Sequence, residues 1–218
     1  MPPIARRALR HDVRREILAM IFDGRLPAGE RINERDVGAQ LEVSRTPIRE
    51  ALLGLETEGF VASRPARGFA PVPLNARDVN EVYPMVAALE SLAVRSAPPE
   101  RLRAHLPELE RLAEQMAAAP DARRAQALDD RWHARLVNDC GNERLLLTLS
   151  SLKRVVRRYE LAWMADNAHV ETSTEQHHAI VDALGRDDVD RAAELIDLNW
   201  RYTMAEMLGW LTLRPPSA

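Results

Sequence analysis

Three side chains in the second half of the chain have types and a spacing that suit a metal ion. Asp129 and His133 stand four residues apart. On a helix both project from one face, where a carboxylate and an imidazole can share a divalent cation. His177 follows on a later segment. Two imidazoles and one carboxylate, with coordination positions left open, suit Zn²⁺, Mn²⁺ or Ni²⁺. Taken alone, the Asp–His pair reads more simply as an ion pair. A second group lies in the first half: Ser44, Arg45, Thr46 and Arg49. Arginine pairs bidentately with guanine, and threonine meets a phosphate or a thymine methyl, so this group suits the major groove of DNA.

The elements that must hold the second group are legible around it. Asn33 is placed to cap a short helix with Val37 and Leu41 on its apolar side, Glu42-Val43 makes a turn, and Ser44 is placed to cap the next helix. Pro47 falls in the first turn of that helix, where a missing N–H costs little. Ile48, Leu52 and Leu55 recur at i, i+4 and i+7 and predict a buried back. Arg45, Thr46 and Arg49 lie off that face, near the leading end. Residues 60–63 and 69–72 have strand character around an arginine-rich turn at 64–68, so a wing is predicted. Its tip carries Arg64 and Arg67, and Gly68 lets the backbone approach a phosphate or the minor groove.

The whole chain has 218 residues, enough for one or two domains, and a hydrophobic share of 46% that supplies a sizeable core. The formal net charge is -3. It is unevenly spread: residues 1–76 carry 12 arginines against 10 acids, and residues 77–218 carry 18 basic groups against 23 acids. The first part is the better polyanion binder. Lys153 is the only lysine, a bias towards arginine that reflects composition rather than function. A single cysteine, Cys140, excludes an intrachain disulfide framework and fits a reducing, cytoplasmic setting. The polar, arginine-rich opening has no secretory apolar core, and no run approaches the ~18 apolar residues of a membrane span.

Leu9, Val13, Ile17 and Ile21 predict a first helix, stopped at Asp23-Gly24. The Pro-rich stretch 71–75 is a junction, which sets the expected domains at 1–74 and 75–218. Beyond it only helical periodicity remains. Helices are expected over 78–97, from Pro98-Pro99-Glu100 to about 118, and over 122–139, 143–165, 172–185 and 187–210. The expected fold is mainly α: an N-terminal winged helix-turn-helix followed by an all-helical bundle of six or seven helices.

Residues 26–72 resemble the winged helix of GntR-type transcription regulators. The resemblance is carried by Leu-Pro-Ala-Gly-Glu at 26–30, Val-Ser-Arg-Thr-Pro-Ile-Arg-Glu-Ala at 43–51, Leu-Glu-Thr-Glu-Gly-Phe-Val at 55–61 and the turn ending in Gly68. It implies DNA contacts from Arg35, Ser44, Arg45, Thr46, Arg49 and the wing, including Arg64, Arg67 and Gly68. The second part resembles the FCD effector-binding domain of the FadR branch. That likeness rests on Tyr-Pro-Met-Val-Ala-Ala-Leu-Glu at 83–90, Asp-Asp-Arg-Trp-His-Ala-Arg-Leu at 129–136 with Gly141-Asn142, and the runs at 176–184 and 187–193.

The resemblance implies a metal held by Asp129, His133, His177 and a third histidine on the last helix. That last position is Asn199, a much poorer ligand, which leaves three protein ligands or an amide that meets the effector directly. A second departure is Val86, where many members carry an arginine that clamps an acidic effector. Arg157 and Arg158 are the candidate substitutes. Trp132, Trp163 and Trp200 could line an apolar pocket, although helical aromatics are more often plain core. His178 is expected to face outward, and His105 and His169 to be peripheral. The expected function is a ligand-responsive transcription regulator, a repressor and homodimer that reads an inverted repeat in double-stranded DNA and senses a small metabolite, an organic acid, through a bound divalent metal. The alternatives are a metal-dependent hydrolytic enzyme, disfavoured because no separate nucleophile or base motif accompanies the ligands, and an effector-independent DNA-binding protein.

Overall fold

Nine helices and one two-stranded sheet occur among the residues described by this computed structural model, 3–65, 67–166 and 170–213. They form two compact units, divided between Leu74 and Asn75. The first contains α1 (Pro3–Phe22), α2 (Glu34–Gln40), α3 (Arg45–Thr57), β1 (Val61–Arg64) and β2 (Gly68–Pro71). α1 begins six residues before Leu9, and its expected stripe is only partly buried: Val13 and Ile17 are covered, Leu9 is exposed. A strict four-residue repeat drifts about 40° per step around a 3.6-residue helix, so Leu18 and Met20 complete the buried face instead.

The Asn33 side chain accepts the Arg35 N–H at 3.1 Å and caps α2. Gly38 allows the turn that follows. A Cβ there would stand 2.9 Å from the Val43 carbonyl oxygen, whose own N–H bonds the Gly38 carbonyl at 2.9 Å. Ser44 occupies the N-cap position of α3, but its hydroxyl makes no capping bond, contrary to the expectation from its type. Ile48, Ala51, Leu52 and Leu55 form the buried back of α3. The strands pair antiparallel with Arg64 opposite Gly68, one residue nearer the turn on each side than expected. The Arg67 N–H bonds the Arg64 carbonyl at 2.9 Å, which draws both ends of the turn into the ladder. Gly29 and Ile32 donate to Pro71 and Phe69, each at 2.8 Å, and cover the outer edge of β2.

The second unit contains α4 (Ala76–Ser96), α5 (Pro99–Ala117), α6 (Ala122–Val137), α7 (Glu143–Asp166), α8 (Val170–Gly185) and α9 (Val189–Leu213). α4 packs chiefly on α9 and α7, and α5 on α6 and α8. α8 starts two residues before the expected Thr172, and His169 falls outside the described residues. α9 starts after Asp187 because that residue takes a positive φ of 61°, and the Asp188 carboxylate accepts the Arg191 N–H at 3.0 Å. The start of α4 is gripped by α7. Tyr159 accepts the Asn75 N–H at 3.0 Å and lies 2.8 Å from the Asp78 carboxylate, which Arg158 also pairs at 2.7 Å.

Candidate functional site

On the first unit, α3 presents its leading end outward while its back is buried. The Arg45 and Arg49 side chains are 71% and 64% exposed, the accessibility that base contact requires. Ser44 and Thr46 are exposed beside them, as are Arg35 on α2 and Arg64 and Arg67 on the wing. Gly68 has φ 75°, the left-handed conformation that glycine adopts without strain. Ala66, inside the expected turn, is not among the described residues. Two participants were not legible in the sequence. Glu34, largely buried on α2, faces Arg45 at 3.9 Å and Arg49 at 3.7 Å. The Arg31 guanidinium reaches the wing, with Nε 3.7 Å from where a Gly68 Cβ would stand.

In the second unit, α6 and α8 bring Asp129, His133 and His177 together, with one potential ligand atom from each within 4.8 Å of the others. His133 Nε2 lies 3.8 Å from one Asp129 oxygen and His177 Nε2 lies 3.4 Å from the other. His177 is completely buried, and among the described residues neither of its ring nitrogens makes a hydrogen bond. Its ring stacks on Trp132, with centroids 3.9 Å apart and planes 6° from parallel. Burial and the neighbouring His133 hold the His177 imidazole well below its usual pKa, so it is neutral with a free lone pair. A buried, neutral imidazole with no hydrogen bond among the described residues, beside a carboxylate and a second imidazole, is a donor set that fits a divalent metal.

A cavity of about 40 Å³ opens against Asp129 and His133, with room for an ion and two or three waters. Its walls include Gln176, Asn199 and Trp200, with Ser173, Tyr202, Thr203, Glu160 and Trp163. Asn199 donates to Gln176 at 2.7 Å. Neither Val86 nor Arg157 lines the cavity. Val86 is buried in the core of α4, and Arg157 is exposed and faces Asp130 at 3.7 Å. Arg158 is buried but engaged with Asp78. Among the described residues lining the cavity there is no arginine or lysine. Trp163 and Trp200 do line it, whereas Trp132 lies beneath, against His177. His178 is half-exposed and faces Glu110. His105, expected to be peripheral, is buried and paired with Asp139 outside the site.

Burial, reinforced by the charges of Asp129 and Asp130, pushes the Glu160 carboxyl up to about 8. Burial also raises Asp129, against the pull of His133 and Lys153. Because the folded value for Glu160 lies above the ordinary 4.5, the neutral form is the one the fold favours. Stability from this group is complete below about pH 4.5 and is lost as the pH rises through 8. Glu160→Gln keeps the acceptor for Gln126, which donates to Glu160 at 3.1 Å. In chelator-treated protein, its thermal melts should match wild type near pH 5 and show a growing advantage up to pH 8–9. An advantage that does not change with pH would contradict this.

Two further residues complete the site and carried no signal as site residues in the sequence. Glu90, on α4, is fully buried and accepts hydrogen bonds on one oxygen from His133 Nδ1 and Trp200 Nε1, each at 2.7 Å. Lys153, on α7, places its ammonium 2.5 Å from the other Glu90 oxygen and 5.1 Å from the Trp200 ring centre. The only lysine of the chain therefore stands against the site.

Comparison with known proteins matches residues 9–70 to bacterial regulatory proteins of the gntR family and residues 81–200 to the FCD domain. The chain is 36% identical over 170 residues to the Nta operon transcriptional regulator of Aminobacter aminovorans, covering 77% of this chain and 80% of that one. It is 32% identical over 192 residues to a transcriptional repressor assigned to a D-xylose utilization operon of Paenarthrobacter nicotinovorans, covering 87% and 84%. A solved GntR-type protein from Rhodococcus sp. RHA1 superposes with a TM-score of 0.69 at 26% identity, covering 92% of this chain and 97% of that one.

Proposed function

Because this chain belongs to the GntR family of DNA-binding transcription regulators and carries an FCD domain, we propose that it is a repressor whose helical unit senses a small organic acid through a bound divalent metal. The division of labour follows the two units, residues 1–74 for DNA and 75–218 for the effector and for pairing with a second copy. The observation that carries the DNA reading is α3, with its buried Ile48, Leu52 and Leu55 and its exposed Arg45, Thr46 and Arg49. One such module reads too few base pairs for genomic specificity, so a homodimer on an inverted repeat in the cytoplasm is the working form. The sensing reading is supported by the buried His177, whose ring nitrogens make no hydrogen bond among the described residues, beside Asp129 and His133.

Asp129, His133 and His177 would hold the metal. Bound there, it would supply the positive charge that the cavity walls lack, and so meet a carboxylate without the arginine that Val86 replaces. Gln176 and Asn199 would hydrogen-bond the rest of the ligand, with the Ser173 and Thr203 hydroxyls beside them. Ligand binding changes DNA affinity only insofar as the ligand binds the DNA-competent arrangement differently from the incompetent one. The site is read as a sensor rather than a catalyst, in keeping with the family.

The test of the DNA reading uses an operator selected from random duplexes by the wild-type protein. Arg49→Ala should weaken binding to it by about 1–3 kcal/mol and relax the base preference at one position of each half-site. Unchanged affinity in a gel-shift titration would remove Arg49 from the interface.

A further inference from the structure

We infer that Glu90 is the positioning residue of the metal site: it fixes the hydrogen of His133 on Nδ1, so that Nε2 is presented to Asp129 and His177, and Lys153 holds Glu90 in place to do so. This rests on the reading of Asp129, His133 and His177 as metal ligands. It goes beyond that reading by assigning a role to a carboxylate and an ammonium that do not line the cavity.

The geometry leaves Glu90 little else to do. A fully buried carboxylate is costly unless it is hydrogen-bonded and paired with a positive charge. One oxygen takes two N–H donors, from His133 and Trp200, both at 2.7 Å, and the other faces the Lys153 ammonium at 2.5 Å. Three helices thus converge on one carboxylate from α4: His133 from α6, Lys153 from α7 and Trp200 from α9. An indole N–H on one oxygen and an ammonium against the other hold the Glu90 carboxyl in its ionised form. An ionised carboxylate can only accept, so the nitrogen that faces it carries the hydrogen. The hydrogen bond made by one imidazole nitrogen decides the state of the other. Here it turns Nε2 to the side where Asp129 lies at 3.8 Å. Trp200 donates to the same oxygen and packs against the His133 ring, with centroids 4.9 Å apart. The plane of the imidazole is therefore held as well as its tautomer. A carboxylate behind a ligating histidine also raises the basicity of the nitrogen that binds metal.

The experiment reads the His133 ring nitrogens by ¹⁵N NMR in full-length, chelator-treated protein at pH 8, and the affinity for Zn²⁺ and Mn²⁺ by competition with a chromophoric chelator. In wild type, His133 should show a protonated Nδ1 and a pyridine-type Nε2, the reverse of the tautomer that dominates for free histidine. Glu90→Gln, which keeps an acceptor oxygen but not the charge, should retain that tautomer and lose about 10–100-fold in metal affinity. Glu90→Leu combined with Lys153→Met removes the pair together and buries no lone charge; there the hydrogen should move to Nε2. Hydrogen on Nε2 in wild type would overturn the proposal. So would a folded double variant whose tautomer is unchanged, or Glu90→Gln with wild-type metal affinity. If the double variant does not fold, the wild-type spectrum and Glu90→Gln decide. Wild type that takes up no metal would refute the metal reading itself, and the NMR result would still stand or fall separately.

Discussion

Replacing His177 by leucine is expected to stabilise the metal-free protein and, in the same variant, to abolish its response to added Zn²⁺, Mn²⁺ or Ni²⁺. The two effects have one cause. Both ring nitrogens of His177 are buried and make no hydrogen bond among the described residues. Each unsatisfied polar group of this kind costs about 1–3 kcal/mol, and an apolar side chain of similar size removes that cost. Leucine also preserves most of the apolar contact with Trp132. One of these nitrogens is what a metal would bind, so losing it would remove one of the three ligands proposed among the described residues. That loss should exceed the ~10–100-fold penalty seen when only an outer partner is disturbed. In wild type, metal at 100 times its Kd should add about 2.7 kcal/mol of stability, and in His177→Leu nothing. Paired thermal melts with chelator and with metal, alongside elemental analysis, measure both effects. A variant that still takes up one metal per chain would show that the ligands lie elsewhere.

Trp132→Ala should be the most damaging single change in the helical unit, at about 3–5 kcal/mol. Trp132 is among the largest fully buried side chains and stands on α6 between the core and the site. One face of its ring stacks on His177, and it meets His133 edge-on with centroids 5.1 Å apart. Alanine would leave a cavity beneath both imidazoles that close packing cannot refill. Metal affinity should therefore fall with stability, although Trp132 offers the metal no ligand. Trp132→Phe keeps an aromatic face for His177 and should recover much of both. Urea denaturation with a metal competition assay checks the pair. Full metal affinity in a destabilised Trp132→Ala would show that the stacking does not position His177.

The parts of the molecule that were legible in the sequence are those whose logic is local. Asn33, the turn at Glu42-Val43 and the spacing of Ile48, Leu52 and Leu55 describe one helix-turn-helix within a few turns of chain, and the structure forms it there. Ser44 takes the N-cap position that its type favours but makes no capping bond, because residue type gives a propensity for the cap while the rotamer decides the bond. Helix ends moved by a few residues where a positive φ, as at Asp187, outweighed periodicity. Asp129 and His133 were legible as a pair because four residues on a helix is itself a distance.

By itself, then, the amino-acid sequence determined two modules, their helical or winged character, the exposed arginines of α3 and the Asp–His pair, since each follows from side-chain types at short spacing. Only the tertiary structure decided which distant groups join them. Val86 went to the core and Arg157 to solvent because neighbouring helices cover one face of each element and leave the other. His133 met Glu90 across 43 residues, and Lys153, Trp200 and His177 converged on the same few ångströms. Such meetings depend on how six helices pack, and packing responds to the shape of whole faces. No period or motif along the chain encodes it one residue at a time.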